Sequence, residues 1–369
     1  MQPKPSIFFI IPSLHGGGSE RVITHLIRNL NPDLFSITLV LVKKEGVFLS
    51  AIPEQVPIIV LNSSQTRYIP VKLVKLIWQH KPDIVFSTLG HLNLIIATLR
   101  FLMPAKTRFI ARESSMVSLH NKNERFPIIF NLLFKTVYKS FYKIVCQSRY
   151  MQQDLIENYN IPLSKTFVIN NPIDFKLINS HINVQQSPYE PGFVNFVAVG
   201  RLSVEKGYNR LIDAFAAVPE QNIKLTIIGE GDDYDLLVKR IAERGLENKV
   251  CLARFIKNPY NYMFHAHALI ITSHYEGFPN VVIEANACGT PVIAMNSPGG
   301  ISEIIDENRN GWLIQDDNIL ALTQKIREVA LLPKPAPAAL VQLAEQKYSL
   351  AYIIQKYEGL FTEALKQNS

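Results

Sequence analysis

ALIITSHYEGFPNVVIEANACGTPVIAM, residues 268–295, runs from one apolar stretch to another through a polar turn and a short helical pattern. The opening run reads as a buried strand and the closing PVIAM as a second. Between them, Pro279 suits the first position of a helix and Gly289 its C-terminal cap, so a helix is expected over residues 279–287. Continuously apolar strands separated by a helix imply a parallel sheet covered on both faces. In such sheets, ligands sit beyond the carboxyl ends of the strands. Glu276 stands at that position, and Glu284 lies inside the helix with seven residues between the two acids.

The same alternation continues in both directions. IFFII leads through glycines to ERVITHLIRNL and then SITLVLV, VKLVKLIWQH precedes DIVFST, and RFIA, KIVCQS and TFVINN read as further strands. After NNPIDF, the stretch KLINSHINVQQSPYEPG has no periodicity and the composition of a linker. Alternation restarts with FVNFVAVG, GYNRLIDAFAAV, KLTIIGEG, a helix from Asp232, and VCLARF. The fold class is α/β, with two parallel-sheet domains in tandem, residues 1–175 and 176–349, joined near 172–192. LAYIIQKYEGLFTEAL is a last amphipathic helix, and residues 350–369 are expected to pack back on the first domain.

A chain of 369 residues is too long for one ordinary core, and 47% apolar residues is a globular composition. Lys and Arg number 38 against 31 Asp and Glu, leaving +7, which suits nucleotide phosphates or acidic lipid headgroups. No nucleic-acid module is recognisable, so nucleic acid is not an expected partner. Cys146, Cys251 and Cys288 suggest neither a disulfide framework nor a zinc site, and a reducing cytosol is the expected compartment. SIFFIIPSL is short, ended by Pro12 and followed by HGGGSE, so it reads as a first strand rather than an export signal. No stretch has the eighteen or so apolar residues of a membrane span.

Three stretches follow strands directly. In SLHGGGSE, residues 13–20, Gly16, Gly17 and Gly18 let the backbone approach a bound group, and amides at the helix start favour an anion. A tight turn without a ligand is the alternative. Neither a dinucleotide fingerprint nor a Gly-Lys-Ser/Thr phosphate loop fits this stretch. In VGRLSVEKG, residues 199–207, Arg201 offers a fixed fork and Lys206 a point charge to a diphosphate. Cations at strand ends are otherwise merely solvated. IIGEGDD repeats the strand-then-glycine arrangement at Gly229 and Gly231, again without a dinucleotide pattern. In the opening stretch, the amides of Phe278, Asn280 and Val281 suit an anion, whereas Pro279 has none to donate. Glu276 can accept from hydroxyls and Glu284 can grip a vicinal diol. Taken singly, each acid would ordinarily be a surface residue.

In this order and spacing, GGGSE, VGRLSVEKG, IIGEG and SHYEGFPNVVIEANACGTPVIA resemble the retaining nucleotide-sugar glycosyltransferases of family 4. The resemblance spans essentially the whole chain, VINNPID and the aromatic terminal helix included. It implies a GT-B architecture, two Rossmann-like domains facing a central cleft, and transfer of a hexose or N-acetylhexosamine from a nucleoside diphosphate sugar. UDP is the default carrier, and a glycan or polyprenyl-linked molecule in cell-surface polysaccharide synthesis is the acceptor. By position, Arg201 and Lys206 would hold the diphosphate, Glu284 the ribose and Glu276 the transferred sugar. Gly277, Phe278, Pro279 and Asn280 would assist through their backbone, and Gly16–Gly18 would close over the donor. No cofactor and no metal are expected. Many relatives carry a His after the strand that here reads RFIARES, where this chain has Arg112 and Glu113; these two and His91 are assigned to the acceptor side. A GT-B sugar-nucleotide epimerase and a silent nucleotide-binding partner protein are the alternatives. An epimerase would need its own acid and base.

KNERFPIIFNLLFKTVYKSFYKIV, residues 122–145, carries Phe126, Phe130, Leu133, Val137 and Phe141 at helical spacing, with Lys135, Lys139 and Lys143 on another side. Those faces suit a helix lying in an anionic membrane surface, and a core helix with a solvated lysine edge is the alternative. The expected location is the cytoplasm, peripheral on the membrane's cytoplasmic face.

Overall fold

The computed structural model describes residues 3–366 apart from 64, 123–125, 335 and the side chain of Thr66. Residues 123–125 of the expected membrane helix and 367–369 of the expected terminal helix lie outside the described residues. The chain divides into two units, Met1–Pro172 with Leu350–Ser369, and Ile173–Ser349. The division falls slightly before the expected 175. The Ile173 amide bonds to the Tyr348 carbonyl at 2.9 Å and its side chain is buried in the second unit, which ties it there.

Among the described residues, the first unit contains seven strands: β1 (Ser6–Ile11), β2 (Ser36–Leu41), β3 (Ile58–Val60), β4 (Ile84–Thr88), β5 (Arg108–Arg112), β6 (Lys143–Cys146) and β7 (Thr166–Val168). They form one parallel sheet in the order β3-β2-β1-β4-β5-β6-β7. Apolar side chains of β1 and β4 are buried, as their unbroken apolar sequences require. Helix Leu350–Lys366 lies on this core and sets Phe361 within 6.2 Å of Phe9, 6.0 Å of Phe35 and 5.5 Å of Phe86, ring centre to ring centre.

In the second unit, β8 (Val194–Val199), β9 (Ile223–Ile228), β10 (Val250–Ala253), β11 (Ala268–Ile271), β12 (Val292–Met295) and β13 (Gly311–Ile314) form a parallel sheet ordered β10-β9-β8-β11-β12-β13. Buried clusters cover both faces of this sheet. In each sheet the strand order reverses direction once, between β1 and β4 and between β8 and β11. Loops leaving the carboxyl ends of those strands border a natural ligand site within each unit.

Three readings from sequence need correction. The stretch taken as a linker begins with helix Phe175–Ser180, started by Asp174, whose carboxylate accepts from the Leu177 amide at 2.9 Å; only the residues after it are irregular. Pro279 is the N-cap rather than the first residue of its helix, which spans Asn280–Ala287. Residues 122–145 are not one helix. Helix Pro127–Thr136 is followed by a 3-10 turn, Val137–Ser140, and then by β6. Lys135, Lys139 and Lys143 therefore sit on three different elements, and the side chains of Phe134, Tyr138 and Phe141 are buried. The outward apolar residues are instead Phe126, Ile128, Ile129 and Leu132, at 53%, 84%, 56% and 60% exposure. Among the described residues no helix is long and apolar enough to cross a membrane.

Candidate functional site

The loops after β8 and β11 build a polar cluster in the second unit. Lys206 ends a 3-10 turn, Val204–Lys206, and its Nζ lies 2.5 Å from Glu276 Oε1. Ser273 Oγ donates to the same oxygen at 2.7 Å. The two loops are joined along their backbones: the His274 amide donates to the Glu205 carbonyl at 2.8 Å, and Thr272 Oγ1 donates to the Lys206 carbonyl at 3.3 Å. Buried Arg210 reaches the Thr272 carbonyl through Nη2 at 2.5 Å and Asp316 through Nη1 at 2.8 Å, fastening helix Tyr208–Ala216 to the end of β11. Burial first, then Arg210, lowers the pKa of His274. Burial, with Glu276 close by, pushes the Tyr208 hydroxyl well up, so it stays protonated beside the pair.

The Glu276 backbone is held from the other side by the loop after β12. Its amide donates to the Pro298 carbonyl at 3.0 Å, and its carbonyl accepts from the Gly300 amide at 3.2 Å. Gly299, with φ +131°, passes so close that a Cβ there would lie 1.5 Å from the Glu276 carbonyl oxygen. Phe278 turns its ring inward to Tyr348, 5.9 Å between centres, leaving the Gly277–Asn280 backbone at the site. Pro279 gives helix Asn280–Ala287 no side-chain cap, and Glu284 lies on this helix at 9% exposure. Arg201 is exposed and makes no ion pair or hydrogen bond among the described residues. Ser203 Oγ and Ser297 Oγ, one in each flanking loop, are buried without a hydrogen-bond partner.

Gly229 and Gly231 serve packing. A Cβ on either would meet a backbone oxygen of the 200–202 loop, Gly200 at 1.9 Å and Leu202 at 2.1 Å. Their spacing comes from the close approach of the two loops.

In the first unit, Gly17 is the uncapped N-cap of helix Gly18–Asn29, and Gly16 precedes it at the carboxyl end of β1. Across the switch point, Leu89 holds a strained φ of +77° before helix Gly90–Leu99, whose second residue is His91. His91 is exposed and packs edge-on to His120 at 5.7 Å and Phe130 at 5.5 Å. Arg112 is fully buried. Its Nη1 reaches Thr88 Oγ1 at 3.3 Å and its Nη2 Asn171 Oδ1 at 2.5 Å, so the structure turns this side chain inward. Glu113 Oε1 accepts from Asn93 Nδ2 at 2.8 Å and from the Tyr138 hydroxyl, while Oε2 is buried without a hydrogen-bond partner; the residue lines a small cavity with His91 and His120. Burial raises the Glu113 pKa to about 7, against the opposing pull of Tyr138, Asn93 and Arg112.

Sequence thus named Lys206, Glu276, His91 and Glu113, and missed Ser273, Tyr208, Asn93 and Tyr138; Ser273 stands only three residues before Glu276, whereas Asn93 and Tyr138 reach Glu113 only through the fold. Among the described residues no group of His, Cys, Asp or Glu could hold a metal ion.

Two family models tile the chain. Residues 16–177 match Glycosyltransferase Family 4, and residues 181–347 match Glycosyl transferases group 1. The chain is 29% identical over 328 residues to the Campylobacter jejuni N-acetylgalactosamine-N,N'-diacetylbacillosaminyl-diphospho-undecaprenol 4-alpha-N-acetylgalactosaminyltransferase, covering 86% of this chain and 88% of that protein. It is 26% identical over 316 residues to the amylovoran biosynthesis glycosyltransferase AmsD of Erwinia amylovora, covering 85% and 87%. Anabaena HepE, solved in complex with UDP, superposes with a TM-score of 0.80 at 20% identity, covering 97% of this chain and all of that one.

Proposed function

This chain belongs to the family 4 glycosyltransferases and has their GT-B fold, and from that premise we propose that it moves a hexose or N-acetylhexosamine from a UDP-sugar, with retention, to a lipid-linked or glycan acceptor in polysaccharide synthesis. One observation carries the donor assignment: Lys206 and Glu276 meet at 2.5 Å beyond the carboxyl ends of β8 and β11, where the strand order reverses. The pair sets a cation and an acceptor carboxylate side by side, the chemistry a diphosphate and the adjoining sugar hydroxyls require.

In this reading, Arg201, Lys206 and the Gly277–Asn280 backbone meet the negative charge that grows on the departing diphosphate. Glu276, oriented by Ser273, binds the transferred sugar, and Glu284 the ribose. The leaving phosphate takes the proton of the attacking acceptor hydroxyl on the same face, and no metal takes part. Within the first unit, we assign acceptor contact to His91 and Glu113 and donor contact to the Gly16–Gly18 loop. The names of the two relatives, one acting on a diphospho-undecaprenol sugar and one in amylovoran synthesis, support the acceptor class. UDP in HepE supports the nucleotide. We also place this protein against an anionic membrane, through Phe126, Ile128, Ile129 and Leu132 rather than through the lysine row.

The test is a panel of nucleotide sugars incubated with membrane extract, with product analysis, in wild type and Lys206→Ala. Transfer from a UDP-sugar with about 10²-fold lower turnover in the variant is expected, by analogy with removal of an oxyanion donor. Turnover that survives in Lys206→Ala at saturating donor would sink the diphosphate role, and an epimer formed without acceptor would overturn transfer itself. Chelator should leave the rate unchanged; a strict Mg²⁺ requirement would count against the metal-free reading.

A further inference from the structure

Tyr208 is the first residue of helix Tyr208–Ala216 and follows Lys206 by two positions. Gly207 sets its direction, with a φ of +62° between the 3-10 turn and the helix. A Cβ at Gly207 would lie 2.1 Å from the Thr272 carbonyl oxygen, so only glycine lets this loop pass the end of β11 so closely. The Tyr208 ring then enters the apolar cluster that holds Leu211, Ile212 and Phe215, and 6% of the residue is exposed. Its hydroxyl reaches Gly200, the residue after β8, where a Cβ would lie 2.9 Å from the oxygen. Lys206 Cε and Cδ come within 3.7 and 3.8 Å of the same point. Phenol and ammonium stem therefore meet over one glycine.

A buried tyrosine ordinarily finds a partner for its O–H. Among the described residues the Tyr208 hydroxyl has none. Burial, and after it Glu276, raise its pKa, yet Glu276 takes its hydrogen bonds from Lys206 and Ser273 instead. The result is a neutral donor that keeps its proton, standing close to a cation and a carboxylate. It is not alone. Among the described residues of the second unit, the buried hydroxyl oxygens without a partner are Ser203 Oγ and Ser297 Oγ, in the loops after β8 and β12. Ser203 even stands at the N-cap of the turn Val204–Lys206 without capping it. Hydrogen-bonding capacity that the fold does not use gathers around the Lys206–Glu276 pair.

We propose that Tyr208 is a donor-binding residue, its hydroxyl donating to an oxygen of the sugar-bearing phosphate of the nucleoside diphosphate sugar. The inference rests on the donor site assigned to Lys206 and Glu276. Lys206 supplies charge and Tyr208 supplies direction. A ring held in the core loses little rotamer freedom on binding, unlike an ammonium on a four-carbon stem. A hydrogen bond from a neutral hydroxyl to a charged phosphate oxygen is also of the stronger kind. Because that phosphate gains charge as the sugar departs, the bond strengthens toward the transition state. Without such an acceptor the hydroxyl is only a cost to the fold.

The experiment compares the whole protein with Tyr208→Phe, by calorimetry with UDP and with UMP and by urea unfolding without nucleotide. UDP affinity should fall about tenfold in the variant. UMP, which lacks the sugar-bearing phosphate, should bind both proteins equally. The urea midpoint should hold or rise, because the lost hydroxyl has no partner in the fold. A lower midpoint would make the hydroxyl structural and overturn the proposal. Equal loss of UDP and UMP affinity at an unchanged midpoint would overturn it too, since the contact would then lie elsewhere on the nucleotide. Equal UDP affinity in the two proteins would remove Tyr208 alone and leave the donor site standing. Binding of none of UDP, GDP and ADP by wild type would remove the donor site, and this proposal with it.

Discussion

Glu113 keeps its carboxyl where water does not reach, and the cost falls on its ionised form. One oxygen is supported by Asn93 and Tyr138 and the other by nothing, so burial outweighs the hydrogen bonds and the pKa rises from an ordinary 4.5 to about 7. A carboxyl raised in this way keeps its proton in the folded state after the unfolded chain has lost it. Between roughly pH 4.5 and 7 the folded state binds more protons, so this group's contribution is fully present below the lower value and lost as pH rises through the upper one. Glu113→Gln removes the dependence. Relative to wild type, the variant should gain on the order of 3 kcal/mol between pH 5 and pH 8, read from urea midpoints at the two values. A difference between the two proteins that stays constant over that range would show an unperturbed carboxyl. The asymmetry of legibility at this scale is physical. Arg201, Lys206, Glu276 and Glu284 stand in short stretches whose spacing can be read along the chain. Asn93 and Tyr138 lie 20 and 25 residues from Glu113, and only the pairing of β4, β5 and β6 brings them together.

Elements were legible where apolar runs were continuous and obscure where they were short or shared. Of the thirteen strands among the described residues, eleven were readable as apolar or β-branched runs, but the three residues of β3 and the GWLI of β13 carry too little pattern to stand out. Residues 126–143 misled for a different reason: aromatic residues at helical spacing continued through a helix, a turn and a strand. Pro127 starts the helix and the 3-10 turn ends it, so the buried aromatics belong to the core and another face is left outside. On helix Pro127–Thr136, Ile128, Leu132 and Lys135 follow one another at steps of four and three, placing an apolar stripe and a cation on one side. If that stripe enters a membrane, Ile128→Glu with Leu132→Glu should abolish sedimentation with vesicles rich in anionic lipid. Lys135→Glu should weaken it in a salt-dependent way, by about 1 kcal/mol or roughly fivefold. Lys143→Glu is expected to act otherwise, through its contacts with Ser164 and Glu363. Vesicle binding unaffected by the two glutamates would return the stripe to an ordinary exposed surface.

At the scale of the whole chain, the second unit is a continuous segment and the first is not. Helix Leu350–Lys366 buries Ile353, Ile354, Tyr357, Leu360, Phe361 and Ala364, the i, i+1, i+4, i+7, i+8, i+11 stripe of an amphipathic helix, in the core under β1 and β4. At roughly 1.5–3 kcal/mol per large apolar side chain, the five larger ones contribute on the order of 10 kcal/mol, as much as the whole stability of a typical domain. Residues 1–172 alone should therefore fail to fold. Residues 173–349 keep their sheet, both covering cores and the Lys206–Glu276 pair, and should unfold cooperatively on their own. The ends of that segment are paired, since Ile173 bridges Ser349. Counting one peptide step on each side of the bridge, Pro172 and Leu350 lie within about 13 Å, a gap a few glycines span. A chain of residues 1–172 joined by a short Gly-Ser linker to 350–366 should regain a folded first unit. The readouts are soluble yield, a cooperative urea transition, and near-UV dichroism from the Phe9, Phe86, Tyr357 and Phe361 cluster. A folded 1–172 fragment would show the terminal helix to be dispensable, and a linked fragment that stays unfolded would mean that the first unit needs more than its own residues.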